Sequence, residues 1–568
     1  MSVNVEIINK KIEYMKKILF ITGICLIVSS CNYRGNGELV GIERKTWYSP
    51  DPYGMLYIDG GAFEMGPNDQ DSRYAMTAQT RRVTVSPFWM DETEITNSEY
   101  RQFVYWVRDS LALTTLGKET KNGVDFGDIN SNSRKQLKAQ DFIIDDTDLS
   151  EAEANFLTNL YPDGEFDLDN YDNINFLDWS GPLDYSNLEI IGILAKNEIP
   201  NNFNQSLYIT PPAEVYRYTR TIDLNTDALY FEYYWVDMQQ AAKKTTFQTT
   251  SEGVNEDVVR SFDREKDHGL SIRRHFNPET AKYEGNISDR EKLDEEKPWD
   301  NFAKREVKNY DGRNDAGKHG GRYSYLMHEK VHIYPDTLCW ISDFTYSFNE
   351  PQAKLYFWHP AYDHYPVVGV TWKQATAFCV WRTNLKNAYQ KSNGEAQLPE
   401  YRLPTESEWE YAARGGQQQS IYPWGSNYTR NIQGCFVANF KPTRGSYSDD
   451  GGIYPVIVAS YDPNDWGLYD MAGNVAEWTS NAFDESAYNF THDLNPDYKY
   501  YAHPDDPPAL KRKVIRGGSW KDVALYLQCG VRTYEYQDSA KCYIGFRCVR
   551  NYLGRSKTDK GSTSQVYN

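Results

Sequence analysis

The sequence predicts an irregular, loop-rich α+β domain with a large insertion. Three observations carry that expectation. Three segments open on hydroxyl caps and continue with apolar residues at i, i+3, i+4 spacing, as helices packed by one face do. Short, turn-bounded strand patterns lie around them. Between residues 111 and 329 this patterning gives way to acidic and charge-mixed tracts. At 568 residues the chain is long enough for one large core with insertions, or for two to three ordinary domains.

The elements follow in order. Lys16 and Lys17 precede an apolar run from Ile18 to Val28, the layout of a secretory signal, and Met15 suits its start better than Met1. The run is shorter than the ~20 apolar residues of a spanning helix. It ends in Val28-Ser29-Ser30-Cys31, which resembles the bacterial lipobox, so residues 1–30 read as a lipoprotein signal peptide and Cys31 as the lipidated residue. Two or three acyl chains, at ~0.8 kcal/mol per methylene, make a lasting anchor where one chain would not. Residues 31–50 form a linker. LYIDGGAFEMG (56–66) alternates and turns at Gly60-Gly61, predicting a β-hairpin, and VTVSPFWMDETEIT (83–96) predicts another strand. Thr96 and Glu99 make a capping box that opens a helix through YRQFVYWVRD (100–109). Residues 111–329 read as the insertion, with long exposed loops and its own apolar patches, notably ALYFEYYWVDM (228–238). The same capping device recurs at Thr371 and Gln374, and at Thr405 and Glu408. Residues 51–110 and 330–552 therefore make the main domain, and 553–568 a polar, disordered tail.

A net charge of −19 argues against a nucleic-acid binder, because phosphate neutralisation needs a basic surface. Acidity of this size serves solubility, and an acidic strip at 142–170 would meet a basic partner surface or divalent cations. The 45 Tyr and 15 Trp either fill the cores of a loop-rich fold or form adhesive faces. Six cysteines lie beyond the signal and lipid site: Cys339, Cys379, Cys435, Cys529, Cys542 and Cys548. Export would place them in an oxidising space, where an even count favours disulfides. There is no C-x-x-C pair, and nine scattered His form no H-x-x-x-H set, so zinc is not expected.

RLPTESEWEYAARGG (402–416), YPWG (422–425), GLYDMAGNVAEWTS (467–480), RGGSW (516–520) and IGFRCVR (544–550) resemble, in this order, the formylglycine-generating enzyme or sulfatase-modifying factor family. GGAFEMG, EITNSEY and VVGVTWKQATAFC fit the same pattern, so the resemblance covers residues 55–105 and 360–550. It implies a compact formylglycine-generating-enzyme-like fold, C-type-lectin-like in topology. It also implies calcium held by Asp470 and Glu477 side chains with Gly473 and Val475 carbonyls, and a second site at Asn439, Phe440 and Asp450. Hard oxygens close together in a turn suit Ca²⁺, although the same carboxylates would equally accept backbone hydrogen bonds there. Cys379 and Cys548 match a family disulfide. The partner that Cys529 would have falls at Ala413, which leaves the pairing of Cys339, Cys435, Cys529 and Cys542 open.

The family's enzymes oxidise a substrate cysteine with two of their own cysteines, placed just after the RGGS turn. Here Ser519 is retained, but the first of those positions falls at Asp522 and the second near Leu527. A carboxylate is a hard ligand and leucine is none, so neither copper capture nor catalytic thiols are expected.

Degenerate members of this family occur among bacterial lipoproteins, and the chain is most similar to the lipoprotein K group of the gliding-motility and type IX secretion machinery. The strings that carry this are GELVGIERKTWYSPDPYGM, MGPNDQDSRYAMTAQT and HEKVHIYPDTLCWISDFTYSFNEP. The resemblance implies a non-catalytic structural part of a ring beneath the outer membrane, lipid-anchored and facing the periplasm. It further implies self-association and assembly with an N-type periplasmic protein (GldN/PorN-like) and other type IX secretion components. Asn32-Tyr33-Arg34-Gly35 lack the acidic cluster that marks surface export, in keeping with that placement. Two other classes stay in view: a sulfatase-modifying oxidase-like enzyme, and a lectin-like binding module.

Overall fold

The computed structural model describes residues 50–121 and 326–554, apart from short gaps at 69–73, 344–349, 443–445 and 503–505, with shorter stretches between them such as 188–197 and 222–236. The signal segment with Cys31, the linker up to residue 49, the tail beyond Gly554 and all of the acidic tract except Ile143 and Ile144 lie outside the described residues.

Contrary to the expected hairpin, β1 (Met55–Ile58) and β2 (Gly61–Met65) do not pair with each other. β2 pairs antiparallel with β3 (Arg81–Val85), and β1 with β4 (Phe88–Asp91). The expected single strand from 83 therefore divides at Ser86-Pro87. Proline has no N–H to continue a ladder, and the chain crosses there from one sheet to the other. The two crossings touch: a Cβ on Gly60 would lie 2.8 Å from the Pro87 ring. Local alternation identified strands correctly but assigned them the wrong neighbours.

The first capping box forms as the spacing predicts. The Thr96 N–H donates to Glu99 Oε2 at 2.8 Å, and Glu99 N–H donates to Thr96 Oγ1 at 3.3 Å. The helix it opens, α1 (Asn97–Lys121), runs well past the expected end at Asp109, because Ala112, Leu113 and Leu116 continue the buried stripe. α2 (Leu188–Lys196) buries Ile190 and Leu194 in the same core. The aromatic run of the insertion is β5 (Tyr230–Val236), paired antiparallel with β6 (Leu326–His332), Tyr230 opposite His332. Phe231 stands edge-on to Phe103 at 5.3 Å and to Trp106 at 6.1 Å. These described parts of the insertion thus pack into the main core, and Pro52–Leu553 forms one unit.

After α3 (Cys339–Ser342) come α4 (Trp372–Ser392), β7 (Tyr401–Arg402) and α5 (Glu406–Arg414). Both longer helices carry complete capping boxes, Thr371 with Gln374 and Thr405 with Glu408. Gly415 closes α5 in the left-handed region (φ 57°), which costs glycine least. β8 (Ala476–Ala482), β9 (Arg512–Arg516), β10 (Thr533–Tyr536), β11 (Ile544–Gly545) and β12 (Val549–Asn551) complete two four-stranded sheets. Their orders are β1-β4-β12-β7 and β10-β9-β8-β11, with β11 parallel to β8. Phe546, Arg547 and Cys548 link β11 to β12, so this short stretch ties one sheet to the other. Among the described residues no helix is long and apolar enough to cross a membrane.

Lys513 on β9 is 1% exposed, with its Nζ 2.6 Å from the Tyr500 carbonyl and 3.8 Å from the centre of the Trp372 ring. Burial, and then repulsion from Lys373, pushes it down to about 7 from 10.5. Between those pH values the unfolded chain holds a proton that the folded chain does not, so stability rises with pH across the window. Replacing Lys513 by Met keeps the aliphatic stem. It should raise stability at pH 7 by about 1–3 kcal/mol, less than the full shift because Tyr500 loses its donor, and it should flatten that rise. Urea denaturation of both forms at pH 7 and pH 10 measures this.

Candidate functional site

β9 runs into the turn Gly517-Gly518-Ser519-Trp520. Gly517 and Gly518 take φ of 88° and 66°, and a Cβ on Gly518 would lie 2.8 Å from the Tyr526 carbonyl oxygen. The turn is thereby folded down onto the helical turn Ala524–Leu527. Ser519 is fully buried and its Oγ donates to Asp522 Oδ2 at 2.6 Å. Asp522 N–H returns a bond to the Ser519 carbonyl at 2.9 Å, and the Asp522 carbonyl accepts from Lys441 N–H at 2.8 Å. Burial raises the Asp522 carboxyl, partly opposed by the Ser519 hydroxyl and by Lys521. Leu527 is fully buried with Tyr422, Ala438, Phe440 and Ala472. The two positions that the resemblance aligns with active cysteines thus hold a hydrogen-bonded carboxyl group and a core leucine.

The remaining thiols are placed as follows. Cys529 is buried in the same apolar cluster as Ala413, and burial pushes it up to about 12. A thiol held protonated in a core is inert as nucleophile or ligand. Cys435 is exposed. Cys379 and Cys548, the pair implied as a disulfide, lie buried with their sulfurs 3.4 Å apart.

Most charged residues of the motif strings face one another. Every residue of α5 is buried, including Glu406, Glu408, Glu410 and Arg414. Glu410 accepts from Arg414 at 2.7 Å, from the Gly66 N–H at 2.8 Å and from Arg516. Glu406 takes two bonds from Arg532, at 2.6 and 3.0 Å, and pairs with Arg516 at 3.6 Å. Burial alone would raise Glu406, but Arg532 and Arg516 outweigh it and hold the carboxyl below its usual value. Glu408 is likewise lowered, against burial, by a two-pronged pair with Arg402 at 2.6 and 2.7 Å.

The calcium candidates divide on their geometry. Glu477 accepts from Arg547 at 2.6, 2.8 and 2.9 Å and from Trp409 Nε1 at 2.8 Å. Those four contacts fill the lone-pair directions of one carboxylate, and a cation there would face a guanidinium. The set Asp470, Gly473, Val475 and Glu477 does not fit Ca²⁺ in this arrangement. Asp470 Oδ2 instead accepts from Ala459 N–H at 2.7 Å, and burial pushes its carboxyl up to about 6. The second set fits better. Asn439 Oδ1 is buried without a hydrogen-bond partner, while its Nδ2 donates to the Tyr454 carbonyl at 3.0 Å. A Cβ on Gly452 would stand 2.9 Å from that oxygen, so glycine keeps the space open. Asp450 Oδ2 accepts from Phe440 N–H at 2.6 Å on the same loop. Glu94, the first residue of EITNSEY but not among the expected ligands, is fully buried here and accepts from Val475 N–H at 3.0 Å and Asn474 Nδ2 at 2.6 Å. Burial raises it well above the usual carboxylate range, with Asp470 and Glu477 adding repulsion. Among the described residues no three His, Cys, Asp or Glu side chains gather as a metal cage.

Two twisted sheets joined by a C-terminal link, with buried glutamate–arginine pairs between motif strings, describe a scaffold whose signature residues are chiefly structural. The family model for the sulfatase-modifying factor enzyme 1-like domain matches residues 47–163 and 321–552, and the chain belongs to that family. A mouse protein named inactive C-alpha-formylglycine-generating enzyme 2 is 33% identical over 202 residues, covering 34% of this chain and 51% of its own. The mouse formylglycine-generating enzyme is 30% identical over 200 residues, covering 34% of this chain and 45% of its own. The chain therefore spans about half the length of the curated relatives it matches. Family members thus include proteins named as enzymes and proteins named as inactive. PvdO from Pseudomonas aeruginosa is similar at 25% identity with a TM-score of 0.26, over 34% of this chain and 63% of that one.

Replacing Glu410 by Gln leaves Arg414 and Arg516 without their buried counter-charge. The variant should lose about 3–5 kcal/mol, read as a lower urea midpoint. In the native protein an alkylating reagent should modify Cys435 at once and Cys529 only after unfolding, as mass spectrometry of timed samples would show.

Proposed function

We propose that this chain is a non-catalytic, lipid-anchored scaffold: a structural ring component of the type IX secretion and gliding-motility machinery, facing the periplasm from the outer membrane. The observation that carries the non-catalytic half is the pair of positions after the RGGS turn, a hydrogen-bonded Asp522 and a buried Leu527. Neither can relay electrons or grip a soft metal ion. The anchoring half rests on the lipobox ending at Cys31, and the assembly half on the intervening strings shared with the lipoprotein K group. The surface is consistent with partner contacts. Tyr428 and Ile432 project from one loop at 76% and 102% exposure, and Tyr53 at 99%. The implied partners are further copies of the chain, an N-type periplasmic protein and other secretion components. Calcium, where bound, would be held through the free oxygen of Asn439 with Asp450 and Phe440, and would rigidify that loop.

Two measurements test this. Full-length protein extracted through its lipid in mild detergent should carry an N-type partner and appear as ring-shaped particles by electron microscopy. The same preparation given copper and a C-x-P-x-R peptide should yield no formylglycine. Monomeric particles without partners would defeat the ring assignment, and formylglycine would restore the enzyme reading.

A further inference from the structure

We propose that Cys339 and Cys542 form a structural disulfide that clamps α3 to the segment just before β11. Both are buried in one small apolar cluster with Trp340, Tyr356, Val368, Val475 and Trp520. Three independent contacts bring their backbones together. The Cys339 carbonyl accepts from Asp343 N–H at 3.0 Å, and the Asp343 carboxylate accepts from Cys542 N–H at 3.1 Å and Lys541 Nζ at 3.0 Å. Trp340, next to Cys339, stacks on Trp520 at 6.3 Å, and Trp520 Nε1 donates to the Cys542 carbonyl at 3.3 Å. Gly369 touches both sides: a Cβ there would stand 3.1 Å from Cys339 Sγ, and its N–H donates to the Lys541 carbonyl at 2.9 Å. The electrostatics agree, since the Cys339 thiol is pushed up first by burial and next by Cys542.

The oxidant is a low-molecular-weight disulfide such as glutathione disulfide. The two S–H bonds break and one protein S–S bond forms, while the small disulfide takes up two electrons and two protons and leaves as two thiols. Because both sulfurs are buried in the folded chain, exchange belongs to folding or to local opening. The bond would close a long loop, the case in which a cross-link removes most conformational freedom from the unfolded chain. That the bond forms in the cell rests on the export reading above, whereas the pairing rests on geometry alone.

The test separates the two. Full-length chain is refolded in a glutathione redox buffer, its free thiols are alkylated in denaturant, and it is digested without reduction for mass spectrometry. A peptide joining residues 339 and 542 is expected, and Cys339→Ala should leave Cys542 newly alkylated. Alkylation of both in the refolded parent chain, a link from either to Cys435 or Cys529, or uptake of Cu(I) by the pair as thiolates, would overturn the proposal. A link in refolded protein with free thiols in protein taken directly from cells would overturn export and leave the pairing standing.

Discussion

The fold depends on burying charge in matched pairs. Glu406 and Glu410 sit in a helix with no exposed residue, and the cations that neutralise them arrive from elsewhere in the sequence: Arg516 from the RGGS strand and Arg532 from the segment after Cys529. Arg547 does the same for Glu477. Each desolvated ion costs several kcal/mol that only a well-placed counter-ion offsets, so no one of these segments can be buried stably without the others. An apolar core would tolerate slippage between helix and strand. This one does not, because displacing α5 by one turn would separate Glu410 from Arg516 and Glu406 from Arg532. Such pairs set register more than they add stability.

That constraint gives the motif strings a structural role of their own, separate from any reaction a family member performs. RLPTESEWEYAARGG supplies Glu406 and Glu410, GLYDMAGNVAEWTS supplies Glu477, RGGSW begins with Arg516 and IGFRCVR contains Arg547. The strings describe how the sheets and α5 lock together. Ser519 and the paired glycines of the turn belong to the same structural set, since Gly518 is fixed by its approach to Tyr526. The reactive sulfurs implied by the resemblance would fall at position 522 and near 527, and neither Asp522 nor Leu527 is a member of the Glu406, Glu410 or Glu477 pairs. Family membership is therefore strong evidence for architecture and weak evidence for chemistry.

The same distinction sorts what the sequence revealed. Capping boxes were legible because the cap and its acceptor lie three residues apart, within one turn. The end of α1 was less so, because Leu113 and Leu116 join a core cluster with Ile190, Leu194 and Phe231, which lie far along the chain. The hairpin at Gly60-Gly61 was misjudged for a related reason: alternation identifies a strand but not its neighbour, and β1 found β4 instead of β2. Glu94 opens the EITNSEY string, but its burial had no signal, since a carboxyl group two residues ahead of a capping box looks like an ordinary surface acid. Only the fold places it under Val475 and Asn474. For the calcium sets, the donor types were readable, but whether Glu477 faced a cation or Arg547 depended on a contact spanning 70 residues.

The C-terminal strands show where such a molecule most needs help. β12 sits between β4 and β7, and β11 lies beside β8, so both sheets stay incomplete until residues 544–551 arrive. Contacts between the two ends of a chain carry the largest closure cost and form late. Arg547 adds a buried charge that must enter with them, and Cys548 and Cys542 flank it on either side. Covalent or near-contact sulfur pairs at those two positions, with Cys379 and with Cys339, would hold the final segment against both α4 and α3. Sulfurs at that seam would hold the last segment where both sheets close, so they bear on assembly of the domain more directly than on chemistry at the RGGS turn.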